Sequence, residues 1–223
     1  MLLDKGADVN AQGGMYGSAL QVASATGHDQ VVQMLLDKGA DVNAQDVNAQ
    51  GGQYGNALKA ASALQAASAT GHDQVVQMLL DKGADVNAQD KRYGNALQAA
   101  SERGHDQVVR MLLDKGADVN AQGGMYGNAL QAASDRGHDQ EGRRLLVKGA
   151  DVNAQGGMYG NALQAASEEG HDQGVRMLLD KGADANAQGG WYGNALQAAS
   201  GTGHDQVMQM LLDKGADVNA QGG

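Results

Sequence analysis

The sequence predicts an all-α solenoid of stacked helix–turn–helix units, on three observations. Gly-Ala-Asp recurs at Gly6, Gly39, Gly83, Gly116, Gly149, Gly182 and Gly215, at spacings of 33, 44, 33, 33, 33 and 33 residues. A fixed period in this range marks a stacked-repeat architecture. The stretch Gly116–Lys148, GADVNAQGGMYGNALQAASDRGHDQEGRRLLVK, has near-copies along most of the chain. The hydrophobic fraction is 42%, yet there is no Phe, one Trp and only six Tyr. Bulky aromatics dominate a single deep core, whereas thin layers of Ala, Leu, Val and Met suit units that touch only their neighbours.

Within a unit the first helix begins at Asn128, an N-cap residue, with Gln131 three positions on as its capping-box partner. Ala129, Leu130, Ala132 and Ala133 supply its small and apolar faces, and Gly137 punctuates its end. In the first unit Ser18 takes the capping position, and Ser caps as well as Asn. The second helix, in its regular form, is His105–Lys115. Asp106 complements the dipole in its first turn, and Val108, Val109, Leu112 and Leu113 form one stripe for burial. Gly116 suits the left-handed stop that follows. The remainder, Ala117 to Gly127, is polar and Gly-rich. It reads as a long loop projecting from the helix pair.

Composition narrows the function classes. A net charge of −10 argues against nucleic acid and anionic membrane surfaces, whose binders carry basic footprints. With no Cys there are no disulfides, thiolate metal sites or cysteine nucleophiles. Neither a signal peptide nor a membrane span is visible, so a cytoplasmic or nuclear location is the expectation.

The pattern G-A-D-V-N-A, an eleven-residue interval ending in A-A-x-x-x-G-H, then V-V and L-L, resembles the ankyrin repeat in its 33-residue frame. The resemblance covers nearly all of residues 1–223: a half-helix at 1–5, then six helix pairs in one array. It implies hairpin-like loops projecting at right angles to the helices, and a concave surface lined by loop tips and first-helix ends. The family's T-P-L-H tetrapeptide is represented by Asn161–Gln164, so Gln must do the hydrogen bonding that His does there. Tyr159 stands where the loop has its usual Gly. The wording Gly-Asn-Ala-Leu-Gln-Ala-Ala-Ser is similar to arrays in large fungal proteins, often joined to nucleotide-binding signalling domains. Met1–Lys5 matches Met34–Lys38, so the chain starts mid-helix, and it closes at Gln221–Gly223 in a loop. Neither end carries the polar variants of a capping repeat. The array therefore reads as a window of a longer one, with self-association through uncapped ends as a further expectation.

Two irregularities stand out. The 44-residue spacing comes from two duplications within 41–68: Asp41–Gln45 is repeated as Asp46–Gln50, and Ala57–Ser62 as Ala63–Ser68. Loop residues are added at little entropic cost, but six more helical residues rotate the downstream face by roughly 240°. Ala63–Ser68 is therefore expected to be the packed copy, with Asn56–Ser62 extruded or extending it. The fourth complete unit has Glu141-Gly142-Arg143-Arg144 where the regular one has Val108-Val109-Arg110-Met111. Each lost Val removes on the order of 1.5–3 kcal/mol of burial, a helical Gly costs about 1 kcal/mol, and a buried Glu costs more. The array is expected to open first near 138–148.

No pattern of catalytic chemistry emerges. His28, His72, His105, His138, His171 and His204 each precede an Asp, but they recur once per unit at a helix start. Stacked helices lie roughly 8–10 Å apart, too far for such a ladder to surround a metal, so these are structural residues. Ser24, Ser101, Ser134, Ser167 and Ser200 sit within helices without a nucleophile elbow. No cofactor motif is present, since Gly-Gly-Met-Tyr-Gly lacks the Lys of a phosphate loop.

Three sets of positions vary among otherwise constant units. One is Met15, Gln53, Arg92, Met125, Met158 and Trp191, just before the Tyr. A second holds Arg103, Asp135, Arg136, Glu168 and Glu169, with Glu102, at the end of the first helix. A third is a polar position of the second helix, including Arg110, Arg143 and Arg176. The first two sets match the positions that line the concave surface in ankyrin proteins, and Met, Arg and Trp are enriched at interfaces. Trp191 is the best single anchor. The reading is a non-catalytic module binding a partner protein on that surface. The competing reading is a fragment acting as a spacer or sensor arm of a larger signalling protein.

Overall fold

The computed structural model describes residues 7–13, 17–44, 62–90 and 94–220. The half-helix expected at 1–5 lies outside them, as does most of the duplicated segment. Among the described residues are twelve helices in six pairs. The first three pairs are α1 (Ala19–Ala25) with α2 (Asp29–Asp37), α3 (Ala63–Thr70) with α4 (Asp73–Asp81), and α5 (Ala96–Arg103) with α6 (Asp106–Asp114). The last three are α7 (Ala129–Asp135) with α8 (Asp139–Val147), α9 (Ala162–Glu168) with α10 (Asp172–Asp180), and α11 (Ala195–Thr202) with α12 (Asp205–Asp213). Two-residue strands β1 (Gln89–Asp90) and β2 (Gly94–Asn95) pair antiparallel. Single bridges Gly123–Gly127, Gly156–Gly160 and Gly189–Gly193 close the later hairpins.

The two helices of a pair are built differently because their sequences are. In α7 every residue is buried: the Ala faces let first helices pack closely on both neighbours, forming an inner layer. In α6 only the stripe Val108, Val109, Leu112 and Leu113 is buried, so second helices form an outer layer with one wet face. Each outer helix ends at a left-handed Gly, such as Gly116 at φ 88°, where a side chain would be strained.

Three hydrogen-bond ladders join successive units. Each loop Asn bridges forward: Asn87 Nδ2 donates to the Gly116 carbonyl at 3.3 Å, and its Oδ1 accepts from the Asp118 N–H at 2.8 Å. Asn120, Asn153 and Asn186 repeat the pattern. The His residues form the second ladder. His138 Nε2 donates to the Glu102 carbonyl at 3.1 Å, His171 to Asp135 at 2.9 Å and His204 to Glu168 at 3.0 Å. These rings lie against Gly104, Gly137 and Gly170, where any Cβ would collide with the imidazole.

Gln supplies the third ladder. Gln98 closes a capping box with Asn95 and also sends Nε2 forward to the Gly127 carbonyl at 2.9 Å. Gln131 departs from the expected box. Asn128 still accepts from the Gln131 N–H at 2.9 Å, but the amide group turns to the next hairpin, donating to the carbonyls of Ala154, Gly156 and Gly160. Its Oε1 is left against Gly127 without a hydrogen bond.

The Asn and His ladders cross the duplication. Asn43 Oδ1 accepts from the Asp85 N–H at 2.8 Å and its Nδ2 reaches Gly83 at 3.2 Å, as in regular units. Helix α3 starts at Ala63, and Ser62 is its extended N-cap, at φ −63° and ψ 163°. The packed copy is thus Ala63–Ser68, and α3 does not continue backwards through Ser62. The rest of Asn56–Ser62 lies outside the described residues.

The irregular fourth unit keeps a nine-residue α8. Glu141 and Gly142 are both buried where Val108 and Val109 are buried in α6. Glu141 sits in the first turn, where the helix dipole favours a carboxylate. The Met177 methyl lies 3.0 Å from the point where a Gly142 Cβ would be, so the next unit occupies the vacated space. Arg144 reaches back to the preceding unit: its Nη2 and Nε donate to Asp106 Oδ1 at 2.6 and 3.0 Å.

Candidate functional site

The hairpin tips and the ends of the inner helices share one face. Glycine permits this closeness: a side chain at Gly157 (φ 63°) or Gly190 (φ 64°) would strike the carbonyl of Tyr126 or Tyr159 in the preceding hairpin. Met158 N–H donates to the Met125 carbonyl at 2.9 Å, so neighbouring hairpins are also hydrogen-bonded. Their Tyr rings stack: Tyr126 and Tyr159 lie 6.3 Å apart at 20°, within the range of favourable aromatic pairs. The Tyr that replaces the family's loop Gly therefore builds a stacked ring pair.

Beneath these rings lie acids from the ends of three inner helices, Glu102 of α5, Asp135 of α7 and Glu168 of α9. Tyr126 Oη donates to Glu102 Oε1 at 3.0 Å, and Arg136 Nη2 donates to the same phenol oxygen at 3.0 Å. Arg136 Nε also pairs with Asp135 Oδ2 at 3.1 Å, and Arg103 Nε approaches Glu102 at 3.8 Å. Burial first, and then the Asp135 carboxylate, push the Tyr159 phenol up. Burial likewise leads for Tyr126, with Glu102 next. Glu168 is raised above the ordinary carboxylate range, by burial first, then by the like charges of Glu169 and Asp135.

The sequence-selected residues divide accordingly. Met15, Gln53 and Arg92 lie outside the described residues. Met125 is 45% and Trp191 76% exposed, both at hairpin tips, and Met158 is half-buried. Arg103, Arg136 and Glu169 are exposed, and Glu168 is half-buried. Asp135 is a correction: at 3% exposure, bound to Arg136 and crowded by Tyr159, its carboxylate is an internal strut and not a contact surface. Variation among units does not mark the Tyr pair, because its residues are constant. The signal was the variable acid 24 residues before each Tyr, as Glu102 is before Tyr126.

The face changes character along its length. At Glu102 and Asp135 the acids are neutralised by Arg103 and Arg136. At Glu168 and Glu169 no basic side chain is paired among the described residues. One unit on, Gly201 takes the acid's place; the Tyr192 ring comes within 3.2 Å of where its Cβ would be. Tyr192 stays 39% exposed beside Trp191, whereas Tyr126 is buried. No group of three or more His, Cys, Asp or Glu among the described residues is placed to hold a metal. No helix there is long and apolar enough to cross a membrane.

Comparison with known proteins agrees with this architecture. A family model described as ankyrin repeats (3 copies) matches residues 50–123 and 130–222, and a single ankyrin repeat model matches residues 17–47. The chain belongs to the ankyrin repeat family, whose members are in general protein–protein interaction modules. The crystal structure of the human ASB11 ankyrin repeat domain is similar to it, with a TM-score of 0.77 at 26% identity over 92% of this chain and 87% of that one. No curated protein matches the chain.

Proposed function

We propose that this chain is a non-catalytic module that holds a partner protein on its hairpin face, the concave face by family resemblance. The carrying observation is Trp191, the chain's one Trp, left 76% exposed at a hairpin tip beside half-open Tyr192. A large aromatic in water has apolar area to bury, and such residues dominate interface energetics. Met125 and Met158 extend the apolar contact, and Arg103 and Arg136 edge it at the neutralised end. At the other end Glu168 and Glu169, at the end of the preceding unit's inner helix, carry negative charge with no ion pair among the described residues. A basic side chain of the partner would meet both the ring face and the carboxylates there.

Quantitative pull-downs with the wild-type chain and Trp191→Ala test this reading. Truncating a buried anchor costs about 2 kcal/mol or more, so recovery of the cognate partner should fall by about 30-fold. If no captured protein changes in recovery, Trp191 is not the anchor and the reading fails.

A further inference from the structure

We propose that the opposite, outer face of the fourth and fifth units carries a second site, which binds an acidic peptide segment of a partner protein. Here α8 and α10 border a groove of about 730 Å³ into which Arg143, Arg176 and Lys181 converge, with Met177 on its wall.

The site arises from a break in a charge pattern. Along the outer helices a Lys of each unit reaches back to the last Asp of the preceding outer helix. Lys82 meets Asp37 at 3.3 Å, Lys115 meets Asp81 at 2.9 Å, Lys148 meets Asp114 at 3.0 Å and Lys214 meets Asp180 at 3.0 Å. Lys181 is the exception. Its partner position holds Val147, which is 81% exposed, and no ion pair reaches Lys181 among the described residues.

The two arginines are unpaired for related reasons. Arg110 is held by Asp106 on its own helix at 3.1 Å. Arg143 has Asp139 in the same register and Arg176 has Asp172, yet neither pair closes, and Arg176 extends towards Met210 Sδ at 4.0 Å. Of the two carboxylates in the groove, Asp180 is already held by Lys214. Three cations thus face one unheld acid, Asp172, in a chain whose net charge is −10.

The chemistry selects the ligand. Guanidinium groups match carboxylates with paired N–H donors, and the Met177 wall offers apolar contact to an adjoining side chain. The groove has no aromatic ring on which a nucleobase could stack. The surrounding negative field also opposes a densely charged polyanion more than a short peptide.

Fluorescence anisotropy with a fluorescein-labelled ten-residue Glu/Gly peptide tests the site at low salt. Saturable binding is expected, weakening as salt rises. Arg143→Gln combined with Arg176→Gln should weaken it tenfold or more. Val147→Asp, which supplies the counter-ion that Lys181 lacks, should weaken it about two- to fivefold, without touching the groove's arginines. All three substituted positions are exposed, and circular dichroism would verify that each variant remains helical. The proposal is overturned by absent saturable binding, by variants that bind as wild type, or by single-stranded RNA of equal charge binding more tightly than the peptide.

Discussion

Helices α6 and α8 occupy equivalent places one unit apart, and they differ in what holds them. In α6, Val108, Val109 and Leu112 are fully buried. In α8 only Leu145 keeps that status, while Glu141 and Gly142 fill the valine positions. Both helices nevertheless run nine residues and end at a left-handed Gly. What they share is the frame: His105 and His138 each donate back to the preceding inner helix, and Asn87 and Asn120 each bridge forward. In this fold the outer layer's apolar packing can be thinned in one unit because the ladders and the inner Ala–Leu layer set the geometry independently. The thinned unit then depends more on those ladders.

The sharpest way to break that comparison is to remove the same ladder rung in both units. Gln131→Ala removes two N–H donors shared among three carbonyls, and Gln98→Ala removes the equivalent donors together with the Asn95 box contact. At about 1 kcal/mol per lost bond, Gln131→Ala should destabilise the array by about 2 kcal/mol and Gln98→Ala by about 3 kcal/mol. Units of a solenoid are coupled only to their neighbours, so the consequences should differ. Gln131→Ala should split denaturant unfolding into two transitions, and Gln98→Ala should lower the midpoint of one. Identical single transitions would show that the fourth unit has as much margin as the third.

A smaller effect in the opposite direction comes from repairing α8. Glu141→Val removes a buried carboxylate and restores apolar burial, worth about 2 kcal/mol. Hydrogen exchange should be fastest among the outer helices at residues 138–148 in the wild type. The substitution should slow it there by about 30-fold and leave α6 unchanged. Uniform exchange across α6, α8 and α10 in the wild type would remove the idea of a soft joint.

These contrasts mark how far the chain was legible. The 33-residue period, the caps and the Val-Val and Leu-Leu stripes fixed the helices, because each depends on residues within one turn or one unit. The packed copy at Ala63–Ser68 was legible for the same reason: helical rotation forbids both copies from packing alike. Contacts between units were harder. That Gln131 also donates into the next hairpin depends on carbonyls 23 to 29 residues away. That Asp135 is a strut depends on Tyr159, and varying residue identity cannot tell a buried acid from an exposed one. The compensation of α8 by Arg144 required knowing that Asp106 lies within 2.6 Å; from sequence alone the Arg reads as one more loss.

The smallest expected effect is the most informative about the outer face. Val147→Asp makes α8 end as α6 does, closing the gap that Lys181 faces in the Lys–Asp column among the described residues. At Asp81 the Lys115 ammonium, then the Gln77 amide, hold the carboxyl below its ordinary value; at Asp37 the Gln33 amide leads and Lys82 follows. A carboxyl depressed in this way stabilises the folded state above its unfolded pKa, and that contribution is lost as pH falls through the folded value. The variant should therefore melt about 1–2 °C higher than wild type at pH 7 and low salt. The gain should shrink below about pH 4 and at high salt. If it melts higher while binding the acidic peptide less well, the free Lys181 is kept at a small cost in stability for what it binds. If the melting rises and peptide binding does not change, the gap at Val147 is only a missing rung, and the difference between α6 and α8 is confined to packing.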